Sequence, residues 1–427
     1  MDYRIFPPEE ILEYSASLPV SKSIVARRLI LNYIAGGRDA AIRTPGIHAN
    51  EDTEVLASAL TAGLPVDGST VDVKASGTAL RFLTALCASI PDTDCVLTGV
   101  ERLCNRPIAE LVDVLRSLGA QIQYLDKEGF APVRITGKRL SGGKVDIDSS
   151  VSSQFISALM MAAVLMDSPL EIALKGDVQS APYIAMTGAL LNRQGQGEVI
   201  VEPYSVTVNI SGLDTDFTAP EPDWSAAAFW YEIAAVTAGW VTLPGLEHES
   251  IQGDSRAREY FERLGVLTEF TEEVAELSAS PEVYSKLDCD LTDTPDMVPA
   301  LAATCALLGI PFTFRGVKAL QLKESDRLEA LRIELLKIGC ICEIEDYGNV
   351  FLWDGKRAMV RELPTFETYG DHRIAMALAP VACAAPGIII KDAEVVGKSY
   401  PEFWNQLRSA GFVVTDASEP IAEEDAE

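Results

Sequence analysis

PDMVPALAATCALLG, Pro295 to Gly309, opens on a polar turn and then runs apolar on every face. A helix of that kind must be surrounded by protein. The same pattern recurs in ASGTALRFLTALCA from Ala75, SVSSQFISALMMAAVL from Ser150, DWSAAAFWYEIAAVTA from Asp223 and GDHRIAMALAPVACAA from Gly370. SKSIVARRLILNYIAG from Ser21 is a looser first copy. With Ser76, Ser152, Asp223, Asp296 and Asp371 as markers, the spacings are 76, 71, 73 and 75 residues. That period predicts repeated supersecondary modules rather than a short-repeat solenoid. An amphipathic segment follows most copies: PIAELVDVLRSLG (Pro107 to Gly119), SRAREYFERLG (Ser255 to Gly265) and SDRLEALRIELLKIG (Ser325 to Gly339). In the last, Leu328, Leu331, Leu335 and Ile338 share a face, and Gly339 stands where a C-cap belongs. QIQYL, PVRIT, VTVNI, VFLWD and GIIIK read as strands between the helices. The unit is therefore strand, buried helix, strand, amphipathic helix, strands. Six such units fill 427 residues as an α/β protein of two domains with three units each. DTDFTAPEPD, Asp214 to Asp223, is the expected crossing between domains.

Hydrophobic residues at 48% and charged residues at 23% exclude a disordered chain. The formal charge of -28 argues against nucleic acid or an anionic membrane as partner. MDYRIFPPEEILEY has no apolar core, so no signal peptide is expected. The longest uncharged stretch, between Arg373 and Lys391, holds Pro380 and Pro386 and is short for a membrane span. Eight scattered cysteines and three histidines point away from a zinc site and toward buried reduced thiols in a cytoplasmic protein. The acidic tail EPIAEEDAE is expected to fray.

Helix openings concentrate the polar chemistry. Free N–H groups and the positive dipole end make such openings anion sites when they converge. Lys22 and Arg27 lie in LPVSKSIVARR, Gly77 in ASGTALR with Ser76 and Thr78 as caps, and Arg106 before Pro107. Arg81 reads as support for the second of these, and Pro107 as the first residue of a helix. Ser152, Ser153 and Gln154 offer more hydrogen-bonding groups than capping needs, and Ser180 adds a hydroxyl or a turn. Asp296 is placed to cap the helix from Met297, or to act as a general base. Lys323, Glu324, Asp326 and Arg327 crowd one helix start, Arg373 lies in the first turn of another, and Lys398 precedes a third opened by Pro401. Cations at helix starts oppose the local dipole preference and so suggest function. Each segment alone is explained by capping or solvation; together they suit ligands with several negative groups. No nucleotide-binding glycine motif, Ser-His-Asp set or H-E-x-x-H is present.

These motifs, in their order along nearly the whole chain, resemble the 5-enolpyruvylshikimate-3-phosphate synthases (3-phosphoshikimate 1-carboxyvinyltransferases). The segments are LPVSKSIVAR, SGTALR, NRPIAELVDVLRSLGA, SVSSQF, SAPY, DWSAAAF, PDMVPALAA, LKESDRL, GDHRIAMALA and VGKSYPEFW. The resemblance implies two lobes, 18–216 and 1–17 with 217–427, each of three βαβαββ units with buried helices inside, and an active site in the interdomain cleft. It implies transfer of enolpyruvyl from phosphoenolpyruvate to the 5-hydroxyl of shikimate 3-phosphate, with no metal or organic cofactor, by a monomer. It assigns shikimate 3-phosphate binding to Lys22, Ser23, Arg27, Ser152, Ser153, Gln154, Ser180, Asp296 and Lys323. Phosphoenolpyruvate binding falls to Lys22, Gly77, Arg106, Gln154, Arg327, Arg373 and Lys398. Catalysis falls to Asp296, Glu324 and Lys22.

Three positions depart from the family pattern: Val20 for a glycine, Ala75 for an asparagine and Ala319 for a substrate-binding asparagine. Those at Val20 and Ala75 bear on loop geometry at the phosphoenolpyruvate site, and hence on affinity. Competing readings are the sister transferase acting on UDP-N-acetylglucosamine, and a catalytically inactive anion-binding homologue. The SKS and VSSQF segments favour the shikimate ester over the sugar nucleotide, and the retained Lys22, Asp296, Glu324 and Arg373 favour an active enzyme.

Overall fold

The computed structural model describes residues 1–150, 152–271 and 274–419. The tail read as frayed therefore lies, from residue 420 on, outside the described residues. The chain divides into two compact units, Val20–Glu221, and Met1–Pro19 together with Pro222–Glu427.

The discontinuous unit holds three four-stranded sheets. In each, a strand, a buried helix and a parallel strand are followed by a second helix and antiparallel strands. Strands Leu287–Asp290 and Phe312–Arg315 are parallel, and helix Val298–Leu308 connects them. Helix Arg327–Leu336 then leads to Glu343–Glu345 and Val350–Trp353, which pair antiparallel. The other two sheets borrow a strand each from the N-terminus. Glu13–Ser15 lies parallel to Trp240–Pro244. Tyr3–Phe6 fills the gap between Ile388–Ile390 and Val413–Asp416, antiparallel to both. Those two pairings place the first residues here although the whole Val20–Glu221 unit intervenes in the chain.

In the Val20–Glu221 unit the pattern appears twice. One sheet runs Val66–Asp72, Asp94–Thr98, Val133–Thr136, Gln121–Tyr124; the other runs Gly143–Asp148, Leu170–Lys175, Ser205–Leu213, Gly195–Glu202. The looser first copy supplies helices Lys22–Ile42, broken at Gly36 and Gly37, and Glu51–Ala62. Among the described residues it adds no strand of its own.

The helices apolar all round are interior. Nine of the eleven residues of Val298–Leu308 and all seven of His372–Leu378 are buried. Burying a Leu or Val side chain contributes about 1.5–3 kcal/mol. That term, rather than an amphipathic face, holds these helices. Their few hydroxyls bond back to the preceding turn: Thr304 Oγ1 to Ala300 O at 2.7 Å, and Thr84 Oγ1 to Leu80 O at 2.7 Å. The second helices keep one buried face, as in Leu328, Leu331 and Leu335, with Ile338 only partly covered. Gly339 takes φ +89°, the left-handed turn that ends this helix.

Some boundaries differ from the sequence reading. Pro107 does not open a helix: a short turn Glu101–Cys104 precedes it and the helix is Ala109–Ser117. Ser255–Gly265 gives a 3-10 turn, Gly253–Arg256, and only six helical residues, Ala257–Glu262. Pro401 stands before helix Phe403–Ser409, with Glu402 as its cap residue. All eight cysteines are unbridged. No helix among the described residues is long and apolar enough to cross a membrane.

Candidate active site

In the Val20–Glu221 unit the openings of the buried helices meet through side-chain bonds. Ser76 caps Gly77–Ser89 by accepting from Ala79 N at 3.3 Å, and Ser152 caps Ser153–Ala162 by accepting from Gln154 N at 3.3 Å. Gln154 Nε2 donates to Thr78 Oγ1 at 3.1 Å and ties the two openings together. A Cβ on Gly77 would lie 2.3 Å from Arg81 Nη1 and 2.7 Å from Arg106 Nη1. Two guanidinium groups thus close over a helix N-terminus, a place that repels cations unless an anion joins them. The Nε of Arg106 is buried without a hydrogen-bond partner among the described residues. Arg81, set aside in the sequence as support, is 3% exposed and lies over the Phe155 ring.

Helix Lys22–Ile42 brings the remaining cations of this unit. Lys22 Nζ pairs with Asp52 at 3.0 Å, in the first turn of Glu51–Ala62. No local signal in the sequence marked Asp52, because thirty residues separate the partners. Arg27 is buried, and most of its donors are spent on the protein. Nε donates to Thr187 Oγ1 at 2.7 Å, Nη1 to Ser23 O at 2.9 Å, and Nη2 to Ser157 Oγ at 3.0 Å and Tyr183 O at 3.3 Å. Burial, only partly opposed by Tyr183, lowers its pKa to about 10. Arg27 therefore clamps three helices together. Ser180 takes φ +57° and caps nothing with its side chain. A non-glycine residue held there stores strain, a condition that clusters at functional sites.

The discontinuous unit assembles a second group from four helix openings. Asp296 is not a helix cap. It lies in the 3-10 turn Pro295–Met297 and takes Arg327 Nη1 at 2.8 Å on one oxygen and Arg373 Nη2 at 2.9 Å on the other. Arg327 also donates to Glu324 at 2.8 Å and through Nε to Asp371 at 2.7 Å. Asp326 caps helix Arg327–Leu336 by accepting from Glu329 N at 3.1 Å. Asp371, fully buried, caps His372–Leu378 through Arg373 N at 3.0 Å and also accepts from Ser325 Oγ at 3.0 Å. Lys398 Nζ donates to Gly370 O at 3.0 Å, beside that opening. Burial works to raise the Asp296 carboxyl, but Arg373, Lys323 and Arg327 hold it well below the usual carboxylate range. Burial works to lower the Arg327 guanidinium, and Asp371, Glu324 and Asp296 more than reverse it. Without substrate, these cations are thus matched by carboxylates. The sequence marked Arg327 as a cation awaiting an anion and used Asp371 only as a marker of the repeat. The structure makes Asp371 the residue that fixes the Arg327 guanidinium plane.

Chemically, one unit offers a guanidinium-lined helix N-terminus, with hydroxyls and an amide nearby. The other offers ionised carboxylates whose partners are cations that a multiply charged anion can recruit.

The EPSP synthase (3-phosphoshikimate 1-carboxyvinyltransferase) family model matches residues 40–407. A 3-phosphoshikimate 1-carboxyvinyltransferase of Bacteroides fragilis (strain YCH46) is 41% identical over 413 residues, 96% of this chain and 98% of that protein. One from Methanospirillum hungatei JF-1 is 34% identical, with 92% of this chain and 95% of that protein covered. Among solved structures, an EPSP synthase from Acinetobacter baumannii superposes with TM-score 0.72 at 22% identity, covering 97% of this chain and 100% of the other. The enolpyruvyl transferase NikO from Streptomyces tendae gives TM-score 0.68 at 14% identity over 97% of this chain and 98% of that one. The two structural likenesses bear on the fold alone.

Proposed function

The chain belongs to the EPSP synthase family, and from that premise we propose which of its residues carry the family's reaction. The enzyme transfers the enolpyruvyl group of phosphoenolpyruvate to the 5-hydroxyl of shikimate 3-phosphate and releases phosphate. The observation that supports our assignment is Asp296 held between Arg327 and Arg373, with Glu324 on the same Arg327.

Shikimate 3-phosphate takes Lys22, Ser23, Arg27, Ser152, Ser153, Gln154, Ser180, Asp296 and Lys323. Phosphoenolpyruvate takes Lys22, Gly77, Arg106, Gln154, Arg327, Arg373 and Lys398. When the carboxylate and phosphate of phosphoenolpyruvate recruit Arg327 and Arg373, the hold of those cations on Asp296 and Glu324 loosens. With Arg327 drawn to the substrate, Glu324 takes up a proton from solvent and gives it to the methylene carbon, making the adjacent carbon oxocarbenium-like. The 5-hydroxyl oxygen bonds to that carbon as its proton passes to Asp296. In the second half Glu324 takes a proton back from the new methyl group. The double bond re-forms and the carbon–oxygen bond to phosphate breaks. Lys22 and the arginines stabilise the departing phosphate, which carries away the proton that Asp296 took from the 5-hydroxyl. The same Arg327 links donor and base, so substrate charge readies both carboxyls together.

Phosphate release from phosphoenolpyruvate tests the reading, with shikimate 3-phosphate compared against a UDP-N-acetylamino sugar as acceptor. Release with the sugar nucleotide alone would transfer the chain to the sister activity, and release with neither would sink the assignment. Glu324→Gln is expected to lower turnover by about 10²-fold while both substrates still bind; unchanged turnover removes Glu324 from the proton role. Gly77→Ala is expected to keep the fold, because its new methyl group meets the flexible ends of Arg81 and Arg106 rather than backbone. Their displacement should raise the KM for phosphoenolpyruvate about tenfold with a smaller effect on shikimate 3-phosphate. Equal effects on the two substrates would contradict the placement.

A further inference from the structure

Asp254 has no part in the chemistry above, yet it is built into the same group of residues. It lies in the turn Gly253–Arg256 and is 3% exposed. Its Oδ2 accepts the Ser225 hydroxyl, and its Oδ1 is buried without a hydrogen-bond partner among the described residues. An ionised carboxylate in such a place must be compensated by nearby charge or stay neutral.

The surroundings are well fixed. Ser225 stands in the first turn of helix Trp224–Thr237, where Asp223 accepts from Ser225 N at 2.8 Å and Ala226 N at 3.2 Å. Gln252 locks the turn to that helix: Oε1 accepts from Trp224 N at 3.2 Å, and Nε2 donates to Pro222 O at 2.8 Å. The same helix packs against the Pro295–Met297 turn and against His372–Leu378. Among the described residues, the charged groups that act most strongly on Asp254 are Asp296 from one neighbour, Arg373 from the other and Asp223 from the helix opening. Burial first, then Asp296, push its carboxyl up, against the pull of Arg373 and Ser225, to about 7.

We propose that Asp254 is a positioning residue for the transfer, acting through the Arg373–Asp296 pair. Protonated, it leaves the charge of Arg373 to Asp296 and the incoming phosphoenolpyruvate. Ionised, it competes for Arg373 and adds a second negative charge beside Asp296, which weakens anion binding. The sign follows: binding of phosphoenolpyruvate is strongest below the Asp254 midpoint and falls as pH rises through it.

This rests on the assigned reaction, and the test separates the two. The KM for phosphoenolpyruvate is measured between pH 6 and pH 8.5, a range set about the carboxyl's value of about 7, for the wild type, Asp254→Asn and Ser225→Ala. The substrates' own phosphate titrations are common to all three enzymes and cancel in ratios. The ratio of wild-type to Asp254→Asn KM is expected to rise about tenfold across that range. Ser225→Ala should move the transition to higher pH, because the lost hydrogen bond favoured the ionised form. A ratio constant with pH, or no movement in Ser225→Ala, overturns the proposal while turnover itself still upholds the reaction. Carbon-detected NMR of the aspartate carboxyls gives a readout independent of turnover and of whether Asp254→Asn folds. A resonance titrating near 7 and shifted in Ser225→Ala supports the proposal; only ordinary midpoints near 4 overturn it.

Discussion

Asp296→Asn should fold, bind phosphoenolpyruvate at least as tightly as the wild type, and turn over about 10²–10⁴ times more slowly. The substitution keeps the shape of the side chain and removes its charge and its capacity to accept a proton. Arg327 and Arg373 lose the carboxylate they share, at 2.8 and 2.9 Å, so more of their charge falls to an incoming anion. Ground-state binding and turnover therefore move in opposite directions, which a general loss of structure does not produce. Steady-state kinetics with direct measurement of phosphoenolpyruvate binding provides the check. Turnover within about threefold of wild type would remove Asp296 as the hydroxyl's base.

Arg327→Met should have the largest effect on stability. The guanidinium serves three carboxylates, and one of them, Asp371, is fully buried while also capping helix His372–Leu378. Removing one partner of a buried pair costs about 3–5 kcal/mol, because the other charge is left uncompensated. Denaturant unfolding of the variant should show that deficit, and Arg327→Lys, which keeps a positive charge beside the buried carboxylates, should recover part of it. An equal deficit in the two variants would mean that packing, not charge, dominates at Arg327.

Much of the architecture was legible because burial leaves a compositional trace. A helix without a polar face has nowhere to sit but the interior, so PDMVPALAATCALLG and its counterparts announced both their own placement and the repeat. Their spacing above 70 residues matched the strand–helix–strand–helix–hairpin unit that each four-stranded sheet repeats. Strand runs such as PVRIT and GIIIK fell where the sheets have them. The first copy was read as loose, and among the described residues it is the one without a sheet of its own. Boundaries near Pro107 and Pro401 were misplaced, because proline suits the residues just before a helix as well as its first turn.

The charged groups at the helix openings were legible as an inventory. Cations at helix openings broke a local rule, and that marked Lys22, Arg106, Arg327 and Arg373. Their partners were not marked. Asp52, Asp371 and Asp254 occupy positions where an acidic residue suits a helix start or a turn, so nothing local distinguishes them from ordinary caps. Asp296 shows the same ambiguity from the other side. A cap was the simplest reading of its position, and only the approach of two arginines from 31 and 77 residues away removes it.

By itself, then, the sequence determined the layered α/β repeat, the interior helices and which charged residues stand at the helix openings, because hydrophobic pattern and residue type act locally and survive in one dimension. Tertiary structure decided which charges meet. Coulomb energy depends on distance and on the local dielectric, and both are set by which helix openings the packing brings together. That is why a chain of net charge -28 can present guanidinium groups over Gly77, and why the cations of the other unit stand neutralised by Asp296, Glu324 and Asp371 until an anion arrives.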